Sequence, residues 1–310
     1  MRIAVIDLGT NTFNLLIAEV LPGGKFRIVY NEKLPVKLGE GGINQNLITE
    51  AAFFRGVQAM EYYAGMTNDW KATQVLAFAT SAVRNASNGN EFVTAVLEKT
   101  GISIHVIDGD KEAGYIAKGV RQAVKLSSEN SLVIDIGGGS TEFIILNEKE
   151  TLWKQSFEIG ASRLLQRFQP SDPIRKEEVR AIAALITGTL SPLWDAVKKY
   201  KVTELIGASG SFESLAEMVE ARFGSLPGLD GATECSFDLD ECEAVHSEIL
   251  SSTHAQRLQM KGLIAMRVDM IVVSAVLVET VLSVTGIPRM RYSAYALKEG
   301  VLRAFLDGEI

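Results

Sequence analysis

Two stretches of this chain are built to one plan. Asp7-Leu8-Gly9-Thr10-Asn11-Thr12-Phe13 follows the β-branched run Arg2–Ile6 and leads into a second apolar run, Phe13–Val20. Asp135-Ile136-Gly137-Gly138-Gly139-Ser140-Thr141 follows Leu132-Val133-Ile134 and leads into Glu142–Leu146. Each reads as strand, acid, aliphatic residue, glycine, small polar turn and strand. Glycine-containing hairpins are common. Here seven aligned positions agree in character, with one hairpin per half, which favours an internal duplication. The 310 residues are enough for two domains.

Strands and helices mix around both hairpins. Phe26–Tyr30 extends the first as a meander after the Pro22-Gly23-Gly24 turn, and Leu47–Ala64 places Ala51, Phe54, Val57 and Met60 at helical spacing. A strand is expected over Gln74–Ala79, a helix over Asn90–Thr100, a strand over Ser103–Ile107 and a helix over Glu112–Val124. Ser127-Ser128-Glu129-Asn130 then breaks the pattern. The second half is more helical. Helices are expected from Pro173 to Thr187, over Ser191–Tyr200, from the Gly207-Ala208-Ser209-Gly210-Ser211 turn to Arg222, within Gly262–Thr285 and over Ala296–Leu306. Glu204–Ile206 reads as a strand and Ser225–Cys235 as a surface loop. The class is α/β, with domains at 1–126 and 127–295 and a final helix at about 296–310.

Composition narrows the function. The formal net charge is -7 and the pI about 5.2, a poor balance for non-specific binding of nucleic acid or anionic membrane. Neither is expected as a partner, and any polyanion has to be met by a local site. Two cysteines, Cys235 and Cys242, make no disulfide framework and no zinc spacing, which points to reduced thiols. Met1-Arg2-Ile3-Ala4-Val5-Ile6-Asp7 is no secretory signal, and the apolar run Met270–Val278 is too short to span a bilayer. A cytoplasmic protein is expected.

The hairpin turns carry the chemistry. Glycine reaches positive φ and allows close backbone approach, successive N–H groups converge on an anion, and Ser or Thr hydroxyls add donors. The phosphate-binding candidates are Gly9, Thr10, Asn11 and Thr12 in the first turn and Gly137, Gly138, Gly139, Ser140 and Thr141 in the second. An Asp at the strand end is placed to hold a hydrated divalent cation beside a phosphate. Asp135 and Glu142 bracket three glycines and are the leading metal candidates, with Asp7 next. Two such turns, one per lobe, would grip a phosphate chain from opposite sides. Arg84 is the best phosphate-binding cation because a guanidinium matches phosphate oxygens bidentately, the plainer reading being a surface ion pair.

The paired hairpins resemble those of the actin, Hsp70 and sugar-kinase superfamily. More narrowly, the chain resembles the exopolyphosphatase and guanosine-pentaphosphate phosphatase family over nearly its whole length. The resemblance rests on the two hairpins, Lys37-Leu38-Gly39-Glu40-Gly41, Ala79-Thr80-Ser81-Ala82-Val83-Arg84-Asn85, Ile107-Asp108-Gly109-Asp110-Lys111-Glu112-Ala113, Arg267-Val268-Asp269 and Leu297-Lys298-Glu299-Gly300-Val301. It implies two ribonuclease H-like domains flanking a phosphate-binding cleft, with the last helix packed back on the first lobe. It implies Mg²⁺ or Mn²⁺ as cofactor, and release of terminal phosphate from inorganic polyphosphate. Hydrolysis of the 5′ γ-phosphate of guanosine pentaphosphate uses the same apparatus. An ATP-dependent phosphotransferase and a non-catalytic nucleotide-binding protein of the actin type are readings of other classes. A homodimer stays open.

The resemblance also implies that Glu112 accepts the proton of the attacking water. The residues alone leave a second reading open, that of a helix N-terminal acid stabilised by the dipole. The chain departs from the family at Lys111, where an acid is usual, and at Gly114, where an arginine is usual. Both bear on substrate preference. Gly207-Ala208-Ser209-Gly210 matches the adenosine position of the superfamily's kinases, but reads alone as a strand-to-helix turn. Arg163, Arg167, Lys198, Lys199 and Lys201 read as solvated cations with a phosphate path as the alternative, and His105, His246 and His254 carry no function.

Overall fold

The computed structural model describes residues 1–226 and 231–310. In the first lobe Arg2–Leu8 (β1) pairs antiparallel with Phe13–Leu21 (β2), which pairs with Lys25–Leu34 (β3). Glu50–Asp69 (α1) leads to Gln74–Ala79 (β4), which joins β1 in parallel. Ser81–Arg84 (α2), Gly89–Thr100 (α3), Ile104–Val106 (β5) and Gly109–Ala123 (α4) follow. The sheet order is β3-β2-β1-β4-β5, with β2 alone antiparallel to the rest.

The second lobe repeats this arrangement. Ser131–Ile136 (β6), Thr141–Leu146 (β7) and Thr151–Phe157 (β8) form the meander. Ala161–Phe168 (α5), Lys176–Thr189 (α6) and Ser191–Tyr200 (α7) lead to Glu204–Ala208 (β9), parallel to β6. Ser209–Phe223 (α8), Glu234–Phe237 (β10), Leu239–Ser251 (α9), His254–Arg257 (α10), Ile271–Thr285 (α11), Met290–Ser293 (β11) and Leu297–Leu306 (α12) complete the chain. The order is β10-β11-β9-β6-β7-β8. Read as β8-β7-β6-β9-β11, it matches β3-β2-β1-β4-β5 strand for strand and direction for direction, with β10 added at the edge. Register repeats as well: Asp7 lies opposite Asn14, and Asp135 opposite Glu142. This is the ribonuclease H-like sheet, twice.

Burial explains the layering. Every residue of β6 and β7 is buried, so both faces of the second sheet are covered. On its outer face, α11 is apolar nearly all round and sits in the core. Between the sheets, Ile116 and Val120 of α4 and Val301 and Leu302 of α12 share one cluster with Val5 and Leu16 of the first sheet and Val133 and Ile144 of the second. The two helices cross very closely. A Cβ on Gly300 would fall 1.7 Å from the Tyr115 carbonyl oxygen, and one on Gly119 would fall 2.0 Å from that of Ala296. Glycine at both positions lets α12 lie on α4, which brings their N-terminal turns, with Glu112 and Lys298, into one cleft.

Several expectations shift. The helix read from Pro173 starts at Lys176, because Arg175 and Glu178 cap it after the proline. Helix α4 starts at Gly109 rather than Glu112, because the Asp108 side chain accepts from Lys111 N at 2.7 Å. Strands β8, β10 and β11 and helices α5 and α9 went unread, and Cys235 of the presumed surface loop is buried in β10. Residues 227–230 of that loop lie outside the described residues. Both cysteines are free. No helix among the described residues is long and apolar enough to cross a membrane.

Candidate active site

The cleft between the lobes holds a cavity of about 420 Å³. Asp7, Asn11, Thr12, Glu112, Asp135, Gly137, Gly138 and Glu142 all line it, so eight of the residues singled out from sequence meet there. Both hairpins contribute because each turn lies at the same end of its sheet.

The glycines act through close approach and not through backbone twist. None of Gly9, Gly137, Gly138 and Gly139 has positive φ. A Cβ on Gly9 would sit 2.8 Å from Thr12 O, and one on Gly137 would sit 2.9 Å from Ser140 O, the same contact in each lobe. Gly138 and Gly139 press against the other lobe. A Cβ on the first would meet Asn11 Nδ2 at 2.5 Å, and one on the second would meet Ser81 Oγ at 2.5 Å. The turns therefore touch each other directly, and the cavity lies beside their junction. Helix α5 fixes the second turn: Ala161 N donates to Gly137 O at 2.9 Å and Ser162 N to Gly138 O at 2.9 Å. Among the described residues no protein acceptor takes the N–H groups of Gly137, Gly138 and Gly139. Amides with their carbonyls tied back are what an anion cradle needs.

Other candidates are placed differently. The Thr141 hydroxyl donates to Ile159 O at 3.3 Å, and its side chain is fully buried away from the cavity. Thr10 and Gly139 are packed between the turns, and the buried Ser140 turns its side chain to Glu142. Arg84 stands behind the cavity wall, donating from Nη1 to Glu112 Oε2 at 2.8 Å and to Ile107 O at 3.0 Å. Its partner is the presumed base.

The carboxylates crowd one another. Burial raises Glu112 well above the ordinary range, reinforced by Glu142 and opposed by Arg84. Burial and Asp135 raise Glu142 in turn, against hydrogen bonds from Ser156 at 2.7 Å and from Ser140. Burial pushes Asp7 up to about 7, against Lys298 and against Asn14, whose Nδ2 donates to it at 2.9 Å. Asp135 is pushed up to about 6, against a hydrogen bond from Ser209 and the charge of Lys298. A surplus of buried negative charge is what a cation would relieve. Among the described residues, no three His, Cys, Asp or Glu side chains are gathered to chelate a metal unaided. Magnesium asks for less, namely one or two carboxylates with waters and phosphate oxygens. The facing pair Asp135 and Glu142 fits that demand in donor type, with Asp7 on the opposite lobe.

Three contributors were missed as site residues. Lys298, half-buried at the start of α12, pairs with Glu299 at 2.9 Å. Burial opposes its charge, but Glu299 and Asp7 more than compensate, so it stays protonated beside Asp7 and Asp135. The Arg267 guanidinium fills the space over Gly210, where a Cβ would fall 1.7 Å from Nη2. The turn matched to an adenosine position is thus occupied by an arginine. Both residues stood in quoted motifs, so the signal was present. Glu158, bonded to Ser81, Arg84 and Arg163, carries no motif at all. Lys111 is exposed, and the space at Gly114 is bordered by Lys154, whose Nζ would be 3.3 Å from a Cβ there. Lys198, Lys199 and Lys201 lie at the end of α7, outside the cavity.

Two ribonuclease H-like lobes, each offering an acid-and-glycine hairpin to a shared cleft, define a phosphate-handling protein of the actin-like α/β class. The profile of the Ppx/GppA phosphatase family matches residues 16–309, and the chain belongs to that family. Its relatives include Exopolyphosphatase 1 of Mycobacterium tuberculosis, 26% identical over 311 aligned residues covering 100% of this chain and 89% of the relative. The crystal structure of an exopolyphosphatase from Cytophaga hutchinsonii is 40% identical, with a TM-score of 0.96 over 99% of this chain and 98% of that one. The Aquifex aeolicus member of the Ppx/GppA family shares the fold at 23% identity and a TM-score of 0.81, covering 100% of this chain and 98% of that one.

Proposed function

We propose that the protein is an exopolyphosphatase that releases the terminal phosphate of inorganic polyphosphate by metal-assisted attack of water. Glu112 carries the reading. It is a buried carboxylate at the first turn of α4, held by Arg84 at 2.8 Å and facing the same cavity as Gly137, Gly138 and Glu142. Glu112 accepts the proton of a water whose oxygen attacks the terminal phosphorus. The bond from that phosphorus to the bridging oxygen breaks, and the shortened chain leaves with the electron pair. Arg84 opposes the protonation that burial and Glu142 favour at Glu112. The amides of Gly137 and Gly138, which line the cavity, hold phosphate oxygens as charge spreads over them, which is most of what a loose transition state requires. Asp135 and Glu142 would hold Mg²⁺ or Mn²⁺, which supplies charge neutralisation at the phosphate.

The cavity continues past Ser209 to Lys33, Tyr292 and Tyr295, which leaves room for a nucleoside beyond the reacting phosphates. This favours guanosine pentaphosphate as the second reading. Phosphate release from polyphosphate, guanosine pentaphosphate and ATP, measured in parallel with Mg²⁺, separates the readings. Polyphosphate is expected to be fastest and ATP inert. Faster release from guanosine pentaphosphate would move the assignment to the second substrate.

A further inference from the structure

Away from the acidic cavity, the lobes meet at a second charged cluster. Glu158 lies just beyond β8. Its Oε2 accepts from Ser81 Oγ at 2.8 Å and from Arg163 Nη2 at 2.9 Å, and its Oε1 accepts from Arg84 Nη2 at 3.4 Å. Ser81 and Arg84 belong to the first lobe and Arg163 to the second. Two guanidinium groups and a hydroxyl converging on one anion form a donor set suited to a phosphate.

The arginines do not depend on Glu158 for their place. Arg163 is also tied to Gly139 O at 3.0 Å and Ile43 O at 2.8 Å, and Arg84 to Ile107 O and Glu112. Their side chains are 16% and 14% exposed, whereas that of Glu158 is 44% exposed. The acid is thus the solvent-facing member, able to turn outward while its donors stay fixed. The cluster is one guanidinium away from Glu112, because Arg84 bonds both acids.

We propose that Glu158 is an internal anion occupying a phosphate site built by Ser81, Arg84 and Arg163. By competing there it sets how tightly the protein holds phosphates beyond the reacting one. This deepens the polyphosphate reading and rests on it. A chain phosphate enters by displacing the carboxylate, so each binding event pays for that displacement. Short chains then lose little against long ones, since the outlying contact is already filled.

The probe is inorganic tripolyphosphate, titrated calorimetrically in EDTA into the wild-type protein, Glu158→Gln and Glu158→Gln/Arg163→Gln. Gln keeps an acceptor for Ser81 and removes the charge, and Glu158→Ala serves as a second variant. Both single variants are expected to bind about three- to tenfold more tightly, with steeper weakening by salt, as removal of one partly exposed competing charge implies. Loss of Arg163 is expected to abolish the gain. Equal or weaker binding by the single variants, or a gain that survives loss of Arg163, overturns the proposal. Failure of the wild-type protein to release phosphate from polyphosphate would overturn the proposed function instead, since the titration reads the anion site without turnover.

Discussion

Arg84 and Glu112 form an ion pair at 2.8 Å, with both side chains largely withdrawn from solvent. The pair couples the strand-to-helix turn after β4 to the first turn of α4. It also bears on the charge of the acid, because burial and Glu142 act to protonate Glu112 while Arg84 acts to ionise it.

Glu112→Gln is expected to keep the fold and polyphosphate binding and to lose about 10²–10⁴-fold in kcat, the usual consequence of removing a general base. Single-turnover phosphate release together with equilibrium binding checks this. Near wild-type turnover would remove Glu112 from the role.

Arg84→Gln removes the group that lowers the Glu112 pKa, so that pKa rises further. A base works deprotonated, and the acidic limb of the kcat/KM profile should therefore move to higher pH. The loss at the optimum is expected to be about 10–100-fold, corresponding to a charged hydrogen bond of about 1.5–3 kcal/mol. Arg84→Lys should restore the position of the limb better than the magnitude, because an ammonium lacks the second terminal nitrogen that reaches Glu158 while Nη1 bonds Glu112 and Ile107 O. An unshifted limb in Arg84→Gln would count against this coupling.

Activity is expected to vanish in excess EDTA, and Asp135→Asn and Glu142→Gln each to raise the Mg²⁺ concentration giving half-maximal rate. The residues face each other across β6 and β7 with too few cations near them to balance their charge. Identical metal titrations in both variants would leave the assignment without support.

Two glycines should respond oppositely to alanine. Gly300→Ala drives a methyl into the Tyr115 carbonyl, and overpacking of this kind costs about 1–3 kcal/mol. Gly188, near the end of α6, has nothing within 4 Å of an added Cβ, and Gly188→Ala is expected to stabilise by about 0.4–1 kcal/mol. Thermal melts of the two variants give the comparison. A lower Tm in both, or in neither, contradicts it.

His246 supplies a pH test remote from the cleft. Burial lowers its pKa from 6.5 to about 4, so the folded protein holds it neutral. Between these values the unfolded chain binds a proton that the folded one does not. Stability is therefore full above pH 6.5 and is lost as pH falls toward 4, by on the order of 3 kcal/mol at most. His246→Leu should flatten denaturant stability across that window. A slope equal to wild type would mean that other groups govern it.

The duplicated hairpins, the α/β class and the eight residues that meet in the cavity were all legible from the chain alone. These depend on local preferences: a β-branched run, an acid, a glycine and a second strand fix their own geometry within a few residues. The four-residue strands β10 and β11 were not legible, since such short segments take their conformation from the sheet they join, and the longer β8 also went unread. What the glycines do emerged from the packing of the lobes. They read as sources of positive φ and of close approach to a ligand, and the close approach they serve is to Ser140, Asn11 and Ser81. Tertiary structure also joined Arg84 to Glu112, brought Lys298 beside Asp7 and Asp135, and placed Glu158 between two arginines. Those relationships form where two lobes and two crossing helices pack together. Their geometry is set by shape and burial over the whole chain, which no local pattern records.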